Sequence, residues 1–350
     1  MVIENIEIEN LRSIKKKHFF FSKNLNVILG SNGAGKTTIL EAIHLLSIGK
    51  TFRKGSEVNL ISKNENFFRT AGLIKDETNS INILTSRNSS EKRIKINNKK
   101  IKYRSELMGV FPTVIFSPDT IDVISGGSQA RLSLFNRLFC TVDKIYTTEL
   151  IKLEKIIKQK KLILKNNDHT QIDFWNNLFA EKAHKVWEKR HKLWSEFEKC
   201  FNEVWARTFP QKEATIKYVN HQKETKDEIL KKLTEIKNQE FLNRRLLYGP
   251  QKDEFIFYYN NIILKDFGSQ GEKKIFHYVL KLAEGNYIKK KMKKTPVLLL
   301  DDLFAKIDNN KINKILNSML NNFQVFITST DTYKDGIENW IKKDTKLIKI

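Results

Sequence analysis

The sequence predicts an α/β fold with a largely parallel sheet, joined to a second, helical lobe. Three observations support this class. An apolar run at Leu25–Leu29 leads through a glycine-rich turn into an amphipathic stretch that ends near Gly49. Strand, helix and strand patterns follow one another again after about residue 295, as expected of a parallel sheet. Between these regions, apolar residues recur at helical spacing from about residue 143 to 209.

The first third of the chain is rich in β patterns. Ile6 and Ile8 alternate with polar residues, and Phe19 to Phe21 lead towards the strand at Leu25–Leu29. A later stretch, RIKINNKKIK, alternates around Asn97-Asn98, a pair suited to a tight hairpin turn. These segments predict strands in the first lobe.

The middle of the chain predicts a helical hairpin, because Asn166-Asn167-Asp168 interrupts one long helical pattern. The apolar residues at helical spacing are Leu150, Leu153, Ile156, Ile157, Phe174, Leu178, Phe179, Val186, Trp187, Leu193, Trp194 and Phe197. We expect the aromatic members in a core, with a base-stacking platform as the alternative. One lobe is therefore expected from residues 1–118 and 290–350, and a helical lobe from residues 119–289.

The charge and the cysteine content limit the kinds of partner and site that the chain is expected to have. The 350 residues carry a formal net charge of +23, which favours a polyanionic partner, either nucleic acid or an anionic membrane surface. The excess is mostly lysine, as an AT-biased genome also produces, so the charge supports nucleic acid without establishing it. Cys140 and Cys200 lack the spacing of a disulfide framework or a zinc site. With no signal-peptide pattern and no apolar run of about 20 residues, we expect no membrane insertion and a cytoplasmic location.

Residues 30–37, GSNGAGKT, match the phosphate-loop pattern GxxxxGK[ST] completely. Glycines let successive N–H groups turn inward, and the dipole of the following helix favours an anion at the same place. Lys36 is expected to reach the β- and γ-phosphates of ATP, and the Thr37 hydroxyl to bind Mg²⁺. The predicted nucleotide-binding residues are Gly30, Ser31, Asn32, Gly33, Ala34, Gly35, Lys36, Thr37 and Thr38.

A second pair of functional candidates follows the apolar strand in VLLLDD, which ends at Asp301 and Asp302. The carboxyl ends of parallel strands are where such folds place metal ligands, next to the phosphate loop. Asp301 is predicted to hold Mg²⁺, and Asp302 to orient or deprotonate the attacking water. Asp308 is a candidate for a subunit interface near the same site. The alternative is a pair of solvated strand-end acids.

Residues 269–272, SQGE, open an apolar helical pattern and resemble the signature motif of ABC-type ATPases. In that class, the signature contacts the γ-phosphate bound to the opposite subunit, which assigns this role to Ser269, Gln270 and Gly271. A serine and a glycine at a helix start offer a hydroxyl, an open N–H and a dipole to an anion. An ordinary capped helix is the alternative interpretation.

Over nearly its whole length, the chain resembles the RecF family of ABC-type, SMC-like ATPases. The stretches that carry the resemblance are ENLRSI at 9–14, LNVILGSNGAGKTTILEAIHLLSIGKTFR at 25–53, VIFSPDTIDVISG at 114–126, YGPQKDEF at 248–255, GSQGEKK at 268–274, PVLLLDDLFAKID at 296–308 and FITSTD at 326–331. The segment after Ser125 departs from the family because it keeps few arginines, Arg131 and Arg137 among them. The family's Gly-Pro-His-Arg-Asp-Asp block is also altered, at Gly249–Glu254.

The resemblance implies an ABC-ATPase head that dimerises on ATP and clamps gapped or double-stranded DNA. It further implies weak, DNA-stimulated ATP hydrolysis and cooperation with the RecO and RecR mediators in loading RecA on single-stranded DNA. Roles in recombinational repair, replication restart and the SOS response would follow.

Three other functions stay open on the sequence alone. One is an SMC-type or double-strand-break repair head, although the sequence lacks sustained heptads and a Cys-x-x-Cys hook. Another is a transporter ATPase subunit, which would need a membrane partner and a differently placed signature. The third is an overcoming-lysogenization-type nuclease, which would need an added acidic catalytic domain.

Overall fold

The structure is a computed structural model that describes residues 1–53, 55–76, 79–220, 225–301, 317–330 and 344–350. The chain forms two compact units, residues 1–122, 204–210 and 269–350 in the first, and residues 123–203 and 211–268 in the second. The strands are β1 (Val2–Leu11), β2 (Ile14–Phe20), β3 (Leu25–Leu29), β4 (Phe67–Lys75), β5 (Ser80–Asn88), β6 (Lys92–Ile96), β7 (Lys99–Lys100), β8 (Thr113–Phe116), β9 (Ala214–Val219), β10 (Glu254–Tyr259), β11 (Ile262–Ile263), β12 (Val297–Leu300), β13 (Val325–Ser329) and β14 (Lys346–Lys349). The helices are α1 (Lys36–Ile48), α2 (Pro118–Ser125), α3 (Ser128–Val142), α4 (Lys144–Asn166), α5 (Ile172–Thr208), α6 (Lys226–Glu235), α7 (Lys237–Asn243), α8 (Leu264–Phe267) and α9 (Gln270–Met292).

The first unit contains a five-stranded parallel sheet in the order β14-β3-β13-β12-β8. Strands β12 and β13 are buried along their whole length, which explains their continuous apolar runs, since a parallel sheet is normally covered on both faces. The predicted strands at Leu25–Leu29, PVLLL and FQVFIT are confirmed. Because all five strands run the same way, their carboxyl ends meet at one edge, where the phosphate loop begins.

The same unit contains a six-stranded antiparallel sheet in the order β2-β1-β4-β5-β6-β7. Its last hairpin turns at Asn97 and Asn98, with φ values of 47° and 65°. A two-residue hairpin turn of type I′ needs positive φ at both positions, which asparagine tolerates. The hairpin predicted at this pair is therefore confirmed.

Helix α1 contacts strands of both sheets. Its apolar side chains Ile39, Leu40, Ala42, Ile43, Leu45 and Leu46 are completely buried. Burial of a leucine or isoleucine contributes about 1.5–3 kcal/mol, so this contact fixes the helix strongly. The helix ends as predicted at Gly49, whose φ is 62° and whose N–H donates to Leu45 O. Glu41 is also fully buried, and the Arg12 guanidinium donates to both of its oxygens at 2.5 and 3.1 Å.

Helix α9 belongs to the first unit, whereas the predicted helical lobe extended to residue 289. The reason is packing against the parallel sheet: the Phe116 and Tyr278 rings lie 6.2 Å apart. Gly285 of α9 lies close to β12, since a Cβ there would be in ordinary contact with Leu298 at 3.5 Å. Burial lowers the pKa of His277 on this helix to about 3, so the ring is neutral at physiological pH.

The second unit contains the predicted helical hairpin, α4 and α5 up to residue 203, interrupted at Asn167 with φ 55°. It also contains a three-stranded antiparallel sheet, β11-β10-β9, which the helical periodicity did not indicate. Aromatic rings fill its core, as for Phe135 and Phe255, whose centroids lie 4.0 Å apart. Phe174 is an exception, because it is 62% exposed. No helix in the described part of the chain has the length and apolar character needed to cross a membrane.

A buried ion pair joins α5 to the turn before β10. Arg190 and Asp253 are 1% and 3% exposed and form a salt bridge. Arg190 also donates to Pro250 O at 2.8 Å and to Tyr146 Oη at 2.9 Å. Asp253 accepts from Trp187 Nε1 at 2.9 Å. These bonds satisfy both charges, which is the condition for burying an ion pair.

Replacing Arg190 with methionine should leave Asp253 buried without its cation. Loss of one partner of a buried pair costs about 3–5 kcal/mol, so the free energy of unfolding should fall by about that amount in urea titrations followed by tryptophan fluorescence. Arg93→Met is the control, since Arg93 pairs with Glu91 at the surface and its loss should leave the unfolding curve unchanged. Equal stability of the Arg190 variant and the parent chain would contradict this account.

Candidate functional site

The phosphate loop joins β3 to α1, and a side chain at Gly35 or Gly30 would crowd neighbouring atoms. Gly35 has φ +105°, and a Cβ on it would lie 2.8 Å from Ser13 Oγ. Gly30 has ordinary φ, but a Cβ there would lie 3.0 Å from two atoms of Ile350. Gly35 also precedes α1 without any side-chain cap, and the first turn holds no acidic residue. The helix start therefore keeps its N–H groups and positive dipole for an anion.

Lys36 is buried, with 7% of its surface exposed. Its ammonium donates to Gly30 O at 2.8 Å and to Ser31 O at 2.9 Å. Both acceptors are neutral carbonyls of the same loop, so the hydrogen bonds hold the ammonium in place without neutralising it. The site thus presents a positive charge beside the helix dipole, which suits a phosphate group.

Asp301 lies at the carboxyl end of β12 and is 6% exposed. Its Oδ1 accepts from the Thr37 hydroxyl at 2.8 Å and from the Thr328 hydroxyl at 2.9 Å. The structure therefore brings together Thr37 and Asp301, which are separated by 264 positions in the chain. A hydroxyl and a carboxylate are oxygen donors of the kind Mg²⁺ prefers when phosphates and water complete its shell. Among the described residues, no cluster of three His, Cys, Asp or Glu side chains offers an all-protein metal site.

Other residues close to the loop in sequence or in role are as follows. Thr38 is buried, at 4% exposure. His44 is packed inside, with Nδ1 at 3.0 Å from Thr113 Oγ1. Asp302 and Asp308 lie outside the described residues.

The signature residues Ser269, Gln270 and Gly271 are exposed at the start of α9. Ser269 forms a capping box with Glu272: its Oγ donates to Glu272 Oε2 at 2.9 Å and accepts from Glu272 N at 3.3 Å. A Cβ on Gly271 would meet nothing within 4 Å. Within a single chain the motif is thus a capped helix start with an open surface. The contact with a second subunit stays a prediction.

Three features of the site were not among the predicted residues. Thr328 could have been predicted, because it carries a hydroxyl at the end of the strand that pairs with β12. Ser13, in the turn between β1 and β2, lies beside Gly35, and Ile350 lies beside Gly30. No sequence pattern marks either residue, because only the folded chain brings them to the loop.

Comparison with known proteins gives a consistent result. The family model for the RecF/RecN/SMC N terminal domain matches residues 2–335. The DNA replication and repair protein RecF of Bacillus cereus (strain G9842) is 29% identical, over 100% of this chain and 97% of the relative. The protein of the same name from Bacillus thuringiensis (strain Al Hakam) is 28% identical, with the same coverage.

Solved structures agree. The structure of the recombination mediator protein RecF-ATPrS in the RecFOR pathway matches with a TM-score of 0.87 and 26% identity, over 100% of this chain and 96% of that one. The SMC head bound to the C-winged helix domain of ScpA matches with a TM-score of 0.54 and 16% identity, over 95% of this chain and 91% of that one. The second similarity shows the fold alone.

Proposed function

The chain belongs to the RecF family of ABC-type, SMC-like ATPases, and from this we propose that it is an ATP-driven dimeric clamp on gapped or double-stranded DNA. The observation that carries the proposal is the pairing of the phosphate loop with Asp301, since Lys36, Thr37 and Asp301 stand together in the folded chain. The similarity to the RecF-ATPrS and RecF-ATP structures supports ATP as the nucleotide.

In this proposal, the loop N–H groups and Lys36 bind the phosphates, with the ammonium exchanging its carbonyl partners for phosphate oxygens. Thr37 and Asp301 would hold Mg²⁺, which when bound neutralises charge on the β- and γ-phosphates. Asp302 would orient the attacking water and take its proton, as the water oxygen bonds to the γ-phosphorus and the bond to the β-phosphate oxygen breaks. ADP and inorganic phosphate are the products.

Ser269, Gln270 and Gly271 would meet the γ-phosphate held by a second copy of the chain. Their exposure, the open space at Gly271 and the dipole of a helix 23 residues long support this role. A γ-phosphate oxygen can replace Glu272 Oε2 as the acceptor for the Ser269 hydroxyl. ATP then acts as the link between two subunits, and hydrolysis removes the link.

The DNA contact is proposed for the basic hairpin, which we define as residues 92–102. It carries no acidic residue, and its basic residues are Lys92, Arg93, Lys95, Lys99, Lys100 and Lys102. Lys95 and Lys100 stand directly opposite each other in the strand register, and the nearby Glu91 carboxylate offsets part of their mutual repulsion. Glu91 accepts from Lys100 and Arg93. Lys102 lies over the Tyr103 ring, with Nζ 5.4 Å from its centroid. Lysine and arginine side chains hold DNA phosphates without reading the base sequence.

The wider biology belongs to the same proposal. The RecFOR pathway of the matched structures supports cooperation with RecO and RecR in loading RecA on single-stranded DNA, during recombinational repair, replication restart and the SOS response. We propose slow, DNA-stimulated hydrolysis, because its role is to time release, and a cytoplasmic location.

Lys36→Met should abolish ATP-dependent retention of DNA. A hydrogen bond to a charged group contributes about 1.5–3 kcal/mol, so ATP affinity should fall at least about tenfold. Sedimentation with labelled ATP and gapped DNA measures both effects. Lys50→Met, which alters an exposed lysine just beyond α1, is the matched control and should behave as the parent. Undiminished retention by the Lys36 variant would refute the phosphate-loop assignment.

Ser269→Arg should leave ATP binding to single chains nearly intact and block the ATP-induced dimer in sedimentation velocity. The control is Thr225→Arg, because Thr225 and Glu228 form the same kind of capping box at an exposed helix start. Both variants lose a cap, so only a contact across the dimer distinguishes them. A normal dimer of the Ser269 variant would exclude the contact in trans.

Replacing Lys95 and Lys100 together with glutamine should weaken DNA binding and lower the slope of log affinity against log salt by about 2, since each phosphate contact contributes about 0.9. Lysines at a sheet edge also discourage aggregation. The control pair is therefore Lys16→Gln with Lys17→Gln in β2, at the opposite edge of the same sheet. Equal salt slopes for both pairs and the parent would remove the basic hairpin from the DNA contact.

A further inference from the structure

Ser117 lies immediately after β8, with 6% of its surface exposed. Its Oγ is buried and has no hydrogen-bond partner among the residues that the structure describes. Leaving a buried polar atom unsatisfied costs about 1–3 kcal/mol, so such a group calls for an explanation.

The local helix start does not explain it. A serine before a helix normally accepts a hydrogen bond from an N–H of the first turn, and Ser117 precedes the first residue of α2. Here Thr120 bonds to the Ser117 backbone instead, since its Oγ1 accepts from Ser117 N at 3.0 Å and donates to Ser117 O at 2.8 Å. The Ser117 hydroxyl is thereby left out of the cap.

The parallel register places Ser117 beside Asp301. Strands β8 and β12 pair Phe116 with Leu300, and Asp301 N donates to Phe116 O at 2.8 Å. Ser117 and Asp301 directly follow these two strands. They therefore lie side by side, with about 5 Å between the neighbouring backbones. Since β12 and β13 pair Leu300 with Ile327, Thr328 continues the same row.

The face of the sheet follows from alternation along β8. Thr113 faces α1, because its hydroxyl meets His44 of that helix. Residues two and four positions further along a strand share its face, so Ser117 also faces α1. From His44 back to Thr37 the helix covers about 10.5 Å, and from Thr113 to Ser117 the strand covers about 13 Å. Ser117 therefore reaches the end of the sheet where Thr37 meets Asp301.

We propose that the Ser117 hydroxyl is a positioning residue of the metal-nucleotide site, where its oxygen accepts a hydrogen bond from a water molecule bound to Mg²⁺. Mg²⁺ in nucleotide sites usually keeps several waters, and each water needs acceptors. The Ser117 Oγ takes part in no hydrogen bond with the described residues, so its lone pairs can accept a hydrogen bond from such a water. The inference rests on the proposed binding of Mg²⁺ and ATP.

The test is a titration of Mg²⁺ at a fixed concentration of a fluorescent ADP analogue, which reads binding rather than hydrolysis. Ser117→Ala should raise the Mg²⁺ concentration for half-maximal binding about three- to tenfold, with nucleotide binding in EDTA unchanged. Ser117→Thr keeps the hydroxyl and should behave as the parent. Thr113→Val removes a hydroxyl from the same strand and face, away from the site, and should leave the Mg²⁺ dependence unchanged.

Thermal unfolding without nucleotide separates this role from a structural one. Because the alanine variant loses an unsatisfied buried oxygen, its unfolding temperature should equal or exceed that of the parent. A lower unfolding temperature, with equal losses of binding in Mg²⁺ and EDTA, would overturn the inference, as would an unchanged Mg²⁺ midpoint. A parent protein that binds no nucleotide at all would instead refute the proposed function itself.

Discussion

The burial of helix α1 between two sheets is the constraint on which the site depends. Almost no polar side chain of this helix faces solvent. Its one buried carboxylate, Glu41, accepts hydrogen bonds from Arg12 in the turn between β1 and β2. That same turn places Ser13 against Gly35. The antiparallel sheet therefore supports the phosphate loop from one side, while the parallel sheet supplies Asp301 from the other.

The chemistry of the site arises from alignment in a parallel sheet. Residues far apart in sequence become neighbours when the strands that precede them end at the same level. Thr328 and Asp301 follow this rule, and Thr37 reaches them because α1 starts directly after the loop. The Lys36 ammonium, two donated hydroxyls and the Asp301 carboxylate then lie in one small region. The chemistry of this arrangement suits a phosphate together with a hard cation, and further contacts depend on the surface around it.

Much of this could be predicted from the sequence. The strand, turn and helix around the phosphate loop were predictable because glycine, lysine and apolar periodicity each report local conformation. The helical hairpin was predictable for the same reason. The small sheet β9–β11 was not, because its strands are short and lie among strongly helical segments. The position of α9 depends on packing against Phe116 and Leu298, a tertiary effect without a local pattern. Ser13 and Ile350 became recognisable only through close approach to glycines.

The order of strands has a consequence for how the chain acquires its shape during synthesis. Both neighbours of β3, β13 and β14, come from the last part of the chain. The antiparallel sheet, by contrast, is complete within the first 100 residues. On a ribosome, the antiparallel sheet can therefore assemble early. During that time β3, which leads into the phosphate loop, has neither of its two neighbouring strands to pair with. Pairing across such long separations is slow, and open apolar edges attract other chains. Truncated or stalled products should consequently aggregate through β3, and only a chain translated as far as β14 can close the sheet.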